Sequence, residues 1–64
     1  MDWKRGDLAI YQGGIARDDM TPGVVYVVNA AGRALHRPGI YLQVVTDDRE
    51  VVDLLADHFK PLAK

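Results

Sequence analysis

The apolar residues of this chain fall in short, dense runs instead of at helical spacing. Asp7-Leu8-Ala9-Ile10-Tyr11, Val24-Val25-Tyr26-Val27-Val28 and Ile40-Tyr41-Leu42-Gln43-Val44-Val45 are rich in β-branched and aromatic side chains, the types that suit a pleated, half-buried surface. Gly13-Gly14, Pro22-Gly23, Gly32, Pro38-Gly39 and Asp47-Asp48 separate these runs. Short strands punctuated at such intervals predict a small sandwich or barrel. A fourth run, Glu50-Val51-Val52-Asp53-Leu54-Leu55, fits strand and helix periods alike. Ala56-Asp57-His58 reads as one helical turn, and Phe59-Lys60-Pro61-Leu62 as a last strand at a sheet edge, where proline's missing N–H costs nothing. Pro22-Gly23 predicts a tight turn, Gly14 to Gly23 a long loop that is polar in its middle, and Asp47-Asp48-Arg49 a hairpin-like link.

The strands are apolar on both sides. A strand with one buried face alternates apolar and polar residues, yet Val24 to Val28 does not alternate, and Gln43 alone interrupts Ile40 to Val45. One face must point inward and the other out, so either Val24, Tyr26 and Val28 or Val25 and Val27 lie outside. Three arrangements accommodate the second face. Trp3, the long loop and the C-terminal segment fold over it, it forms an interface, or its residues are ordinary scattered apolar surface.

Length and composition narrow the picture. Sixty-four residues are read as a single domain, residues 1–64, that buries only about 60% of its unfolded surface. There is no Cys, which excludes disulfides and thiolate metal sites. The first residues lack the apolar stretch of a secretion signal, and no run approaches the roughly 20 residues needed to span a bilayer. The expectation is a soluble, cytoplasmic protein without a membrane partner. The net charge of -1 argues against an electrostatic stripe for phosphates.

Gly6-Asp7, then Gly23-Val24-Val25-Tyr26-Val27-Val28, then Tyr41-Leu42, and finally Asp57-His58-Phe59-Lys60-Pro61-Leu62 follow a pattern that resembles a loose group of small bacterial and bacteriophage proteins. The resemblance implies an all-β fold, a small five-stranded Src-homology-3-like barrel with a long first loop and a short helical turn before the last strand. It implies no activity, since the group shares none and fold does not dictate function.

Chemistry-bearing constellations are sparse. With neither Ser nor Cys, and Thr21 and Thr46 as the aliphatic hydroxyls, Ser- or Cys-type triads are impossible. His36 and His58 stand 22 residues apart with no His or Cys at ligand spacing. Asp18-Asp19 and Asp47-Asp48 read as loop carboxylates capping backbone N–H groups, and the glycines match no phosphate-binding pattern. The expectation is therefore no catalytic residue, no metal and no cofactor: the chain is not an enzyme.

Two surfaces stay open as candidates. Trp3, Tyr26 and Tyr41, with Val25 and Val27 as apolar neighbours, suit a protein partner or a second copy of the chain, although such tyrosines more often sit in the core with the hydroxyl at the surface. Arg33, His36 and Arg37, with Lys4 and Arg5, form a local basic patch suited to nucleic acid. The protein-interaction reading is preferred, because no aromatic interleaves with the basic residues and a solvated turn explains them better.

Overall fold

Every apolar run becomes a strand in a computed structural model, which describes residues 3–33, 35–36 and 38–62. The order is β1 (Leu8–Tyr11), β2 (Val25–Arg33), β3 (Ile40–Val45), β4 (Val51–Leu55), a single 3-10 turn (Ala56–His58) and β5 (Phe59–Pro61). The ambiguous fourth run is a strand because β3 supplies a partner along its whole length, from Tyr41 opposite Leu55 to Val45 opposite Val51. Val52 and Leu54 turn inward, while Val51 and Asp53 are exposed.

All pairings are antiparallel, and the sheet runs β4-β3-β2-β1-β5. β4 and β5 are its two ends, and no ladder joins them, so hydrogen bonding does not close the sheet among the described residues. β2 serves two neighbours in turn. Its first residues pair with β1, Val25 opposite Ile10 and Val27 opposite Leu8. From Val28 onward it pairs with β3.

The change of partner coincides with a bulge. Val28 lies opposite Val44 but Ala30 lies opposite Gln43, which leaves Asn29 as the extra residue. A bulge bends its strand and raises the local twist, and strands that turn a corner between packed half-sheets commonly do so there. Asn29 Nδ2 donates to Gln43 Oε1 at 2.7 Å, which fixes the extra residue to the strand it skips. Asn29-Ala30-Ala31-Gly32 are weak strand formers, and β2 runs through them because β3 offers a ladder.

Alternate residues of the two half-sheets meet in one core: Ala9, Tyr11, Met20, Tyr26, Val28, Leu42, Val44, Leu54 and Phe59. Tyr11 lies at its centre, edge-on to Tyr26 at 6.3 Å and tilted against Phe59 at 5.6 Å between ring centroids. Trp3, Ile40, Val52 and Ala56 pack against this cluster from its margin.

Two turns show how local sequence sets the path. Val24 N–H donates to Thr21 O at 3.1 Å, and Gly23 has φ +88°: the Pro-Gly turn in the form that requires glycine at its third position. Between β3 and β4, Arg49 N–H donates to Thr46 O at 3.0 Å, and Arg49 itself takes φ +64°. A three-residue hairpin loop ends in this left-handed position. Among the described residues, no helix is long and apolar enough to cross a membrane.

Candidate functional site: an apolar row across the outer face

The inward set in β2 is Tyr26 and Val28, so Val25 and Val27 point out. Registration then places their neighbours. Leu8 lies opposite Val27 and Ile10 opposite Val25. Leu62, whose N–H donates to Leu8 O at 3.1 Å, continues the row past β5. On the other side Val28 pairs with Val44, so one step along the antiparallel ladder brings Val27 beside Val45, and Val45 lies opposite Val51. Leu62, Leu8, Val27, Val45 and Val51 thus form one apolar row across all five strands. With strands about 4.8 Å apart, the row runs roughly 19 Å along the curved outside of the sheet, whose two end strands are joined by the three-residue Ala56–His58 turn.

Each of these five side chains is between 39% and 55% exposed. Val25, at 41% exposed, and half-buried Ile10 thicken the row on the β1–β2 side. The covering arrangement is not what the structure adopts: Trp3 packs against the core, and the outer valines stay open.

Tyr26 takes a different place from Val25 and Val27. It is buried, and its hydroxyl accepts from Thr21 N–H at 2.8 Å while donating to the Asp47 carboxylate at 3.1 Å. Thr21 Oγ1 donates to the same carboxylate at 3.3 Å, and Asp47 N–H donates to Asp19 O at 2.9 Å. This hub ties the long loop to the β3–β4 turn. Burial pushes the Tyr26 phenol above its ordinary range. The Thr21 N–H at its oxygen pulls the other way, and the Asp47 carboxylate pushes it up further.

Met20, buried inside the nominally polar loop, joins the core beneath the hub. Arg17 and Asp19 close the loop's outer side with paired bonds of 2.9 and 2.7 Å, and the Arg17 hydrogen bond holds the Asp19 carboxyl below its usual range. At the loop's start, His58 Nδ1 lies 3.1 Å from Gly13 O. A carbonyl can only accept, so Nδ1 carries the proton there.

Tyr41 lies on the outer face of the second half-sheet. It is half-buried and opposite Gly32, whose missing side chain leaves the space beside the ring open. Tyr41, Gln43, Asp53 and Arg33 border a shallow concavity of about 530 Å³ floored by Ala30 and Gly32. A carboxylate and a guanidinium share that surface.

The basic residues do not converge. Lys4 and Arg5 sit in the turn before β1, which docks on β2 through Gly6 N–H to Val28 O at 2.8 Å. Arg33 lies five residues further along β2, roughly 17 Å at strand rise. His36 is exposed in the β2–β3 link, and Arg37 lies outside the described residues. Among the described residues, no group of three or more His, Asp or Glu side chains is placed to hold a metal ion.

Sequence reasoning picked out Val25 and Val27 but not Leu8, Val45, Val51 and Leu62, which complete their row. The doubly apolar strands carried the signal, and only the register says which half of each run stands in line. Comparisons with protein-family models, curated proteins and solved structures gave no match.

Proposed function

We propose that this chain is a non-enzymatic protein-interaction module of the Src-homology-3-like barrel kind, acting in the cytoplasm through the outer apolar row. The strand order, the bulged corner in β2 and the 3-10 turn before β5 support the barrel. The observation that carries the function is the row itself: five aligned apolar side chains, all open to water, on a domain that could have placed polar residues there without disturbing its core. Contiguous apolar surface on a small soluble domain marks an association site.

The basic residues recommend nucleic acid less, since Lys4 and Arg5 lie before β1, far from Arg33 and His36, and Arg33 shares the Tyr41 concavity with Asp53. The test is solution mass across a concentration series for the native chain and for Val27→Lys, with a gel shift on DNA and RNA at low salt alongside. The expected result is a mass that rises toward two chains, a Val27→Lys variant that stays at one chain, and no shift. A native chain that remains monomeric and shifts nucleic acid in a salt-dependent way overturns the reading.

A further inference from the structure

The two edges of the sheet differ in what their backbones offer. On β5, Leu62 N–H donates to Leu8 O at 3.1 Å and Gln12 N–H donates to His58 O at 2.8 Å. The alternation of the ladder then turns Lys60 toward β1, and Phe59 and Pro61 away from it. Phe59 N–H is given to Ala56 O, and Pro61 has no N–H. The free side of β5 therefore offers no donor. On β4 the phase is set by Thr46 N–H, which donates to Glu50 O at 2.8 Å. Val52 and Leu54 then bond to β3, while the N–H and C=O of Val51 and Asp53 and the N–H of Leu55 point away. Leu55 C=O opens the 3-10 turn. Among the described residues, nothing pairs with the outward groups of Val51, Asp53 and Leu55 N–H.

Free edges are normally shortened, covered, or guarded by lysine or proline. β4 is five residues long and has neither lysine nor proline. What surrounds it is negative charge. Residues 47–57 hold five carboxylates, Asp47, Asp48, Glu50, Asp53 and Asp57, against one cation, Arg49. Asp53 stands exposed at the middle of the strand, on the same face as Val51 and Leu55. Arg33 borders the Tyr41 concavity with Asp53, but it lies on β2, across β3 from the free edge, and makes no ion pair with it.

We propose that the free edge of β4 is a second binding site, which takes an extended segment of another protein as an added antiparallel strand. The segment carries a lysine or arginine opposite Asp53 and apolar residues opposite Val51 and Leu55. In strand addition the backbone bonds supply affinity and alternate side chains supply selectivity. Opposite charges facing each other across a sheet attract and like charges repel, so a central cation is what Asp53 selects. The apolar residue opposite Val51, itself 55% exposed, prolongs the outer row by one strand. A second copy fits this edge poorly. A twofold at Asp53 sets two carboxylates opposite each other, and one at Val52 or Leu54 sets each carboxylate against an apolar residue. A twofold at Val51 would bring Arg49 opposite Asp53, but Arg49 is left-handed and its N–H already bonds Thr46 O. The site needs only the β4 edge with its side chains, and is independent of the row's part in association.

The test is an NMR titration of the labelled native chain with the peptide acetyl-Thr-Val-Thr-Lys-Thr-Val-Thr-amide, whose valines and lysine share one face. Before peptide is added, the Val51 and Asp53 amides should exchange with solvent at least about tenfold faster than those of Val52 and Leu54. The peptide should shift the Val51, Asp53 and Leu55 amides and slow their exchange. Glutamate in place of the lysine should weaken binding at least about fivefold, and Asp53→Lys should reverse that preference. N-methylation of the lysine should abolish binding, because that N–H faces Asp53 O. N-methylation of the following threonine, whose N–H faces away, should not.

Val27→Lys should take up the peptide as the native chain does, which separates this site from the row. Loss of binding in that variant, equal binding of the N-methyl-lysine peptide, or no shift at millimolar peptide overturns the edge site and leaves the association reading standing. Val51 and Asp53 amides that are protected in the native chain and released on dilution overturn the peptide as occupant and assign the edge to a second copy.

Discussion

Arg49 holds a left-handed φ of +64° at the end of the β3–β4 turn, a conformation that costs an L-residue roughly 1 kcal/mol and glycine nothing. Arg49→Gly should therefore stabilise the fold by up to about 1 kcal/mol, less the extra freedom it gives the unfolded chain, as measured by urea unfolding. Gly14 shows the converse. Its φ is +97°, and an added Cβ would lie 3.0 Å from His58 Nδ1, so Gly14→Ala should destabilise by about 1–2 kcal/mol and displace the ring from Gly13 O.

Tyr26 is the residue through which pH enters. Tyr26→Phe strips a partner from Thr21 N–H and from Asp47 and should cost about 1–2 kcal/mol at neutral pH. Because the folded phenol titrates above its ordinary value, its contribution is complete below about pH 10. It is lost as pH climbs through the folded value, since the unfolded phenol ionises first. The stability gap between the native chain and Tyr26→Phe should stay flat up to about pH 9 and narrow beyond it. A gap that widens with alkali would contradict the placement of the hydroxyl.

Among the elements, the long first loop depends most on a single side chain. It has no strand or helix of its own, yet Met20 is buried at 3% exposure while the hub above ties the loop to Asp47. Met20→Ala should cost about 2–4 kcal/mol and loosen the loop, visible as faster amide exchange at Thr21 and Asp47. The two sheet edges are treated differently. β5 is three residues long and carries Lys60 and Pro61, devices that discourage further pairing, whereas β4 has neither. The other four strands were legible from the sequence, and even the 3-10 turn fell where Ala56-Asp57-His58 predicted it. The reach of β2 to Arg33 was not legible, because Asn29 to Gly32 have little strand preference and adopt it only with β3 alongside. Nor was the strand character of Val51 to Leu55, which β3 decided.

For the molecule as a whole, neighbouring residues should give opposite outcomes. Val28 is fully buried and Val27 more than half exposed. Val27→Lys should shift the unfolding midpoint little and abolish association, whereas Val28→Lys should unfold the domain, because an unpaired ammonium in an apolar core has no compensation. Circular dichroism and light scattering on the two variants separate the faces directly. If Val27→Lys unfolded the chain as Val28→Lys does, the division into inner and outer faces would be wrong. The same division explains how far the candidate site could be read beforehand. Val25 and Val27 were identifiable as one of the two alternative faces of a doubly apolar strand, while Tyr26, between them, belongs to the core and its hub.

The sequence by itself determined the all-β class, four of the five strands, the turns and the existence of a second apolar face, because strand preference and turn chemistry are local properties of a few adjacent residues. The tertiary structure alone decided which face is buried, where β2 bends, that Met20 and Tyr26 anchor the loop, and that five apolar side chains line up across the strands. Those features depend on register between strands distant in the chain. A shift of one residue would exchange the inner and outer faces, and no local pattern in a strand apolar on both sides records which register holds.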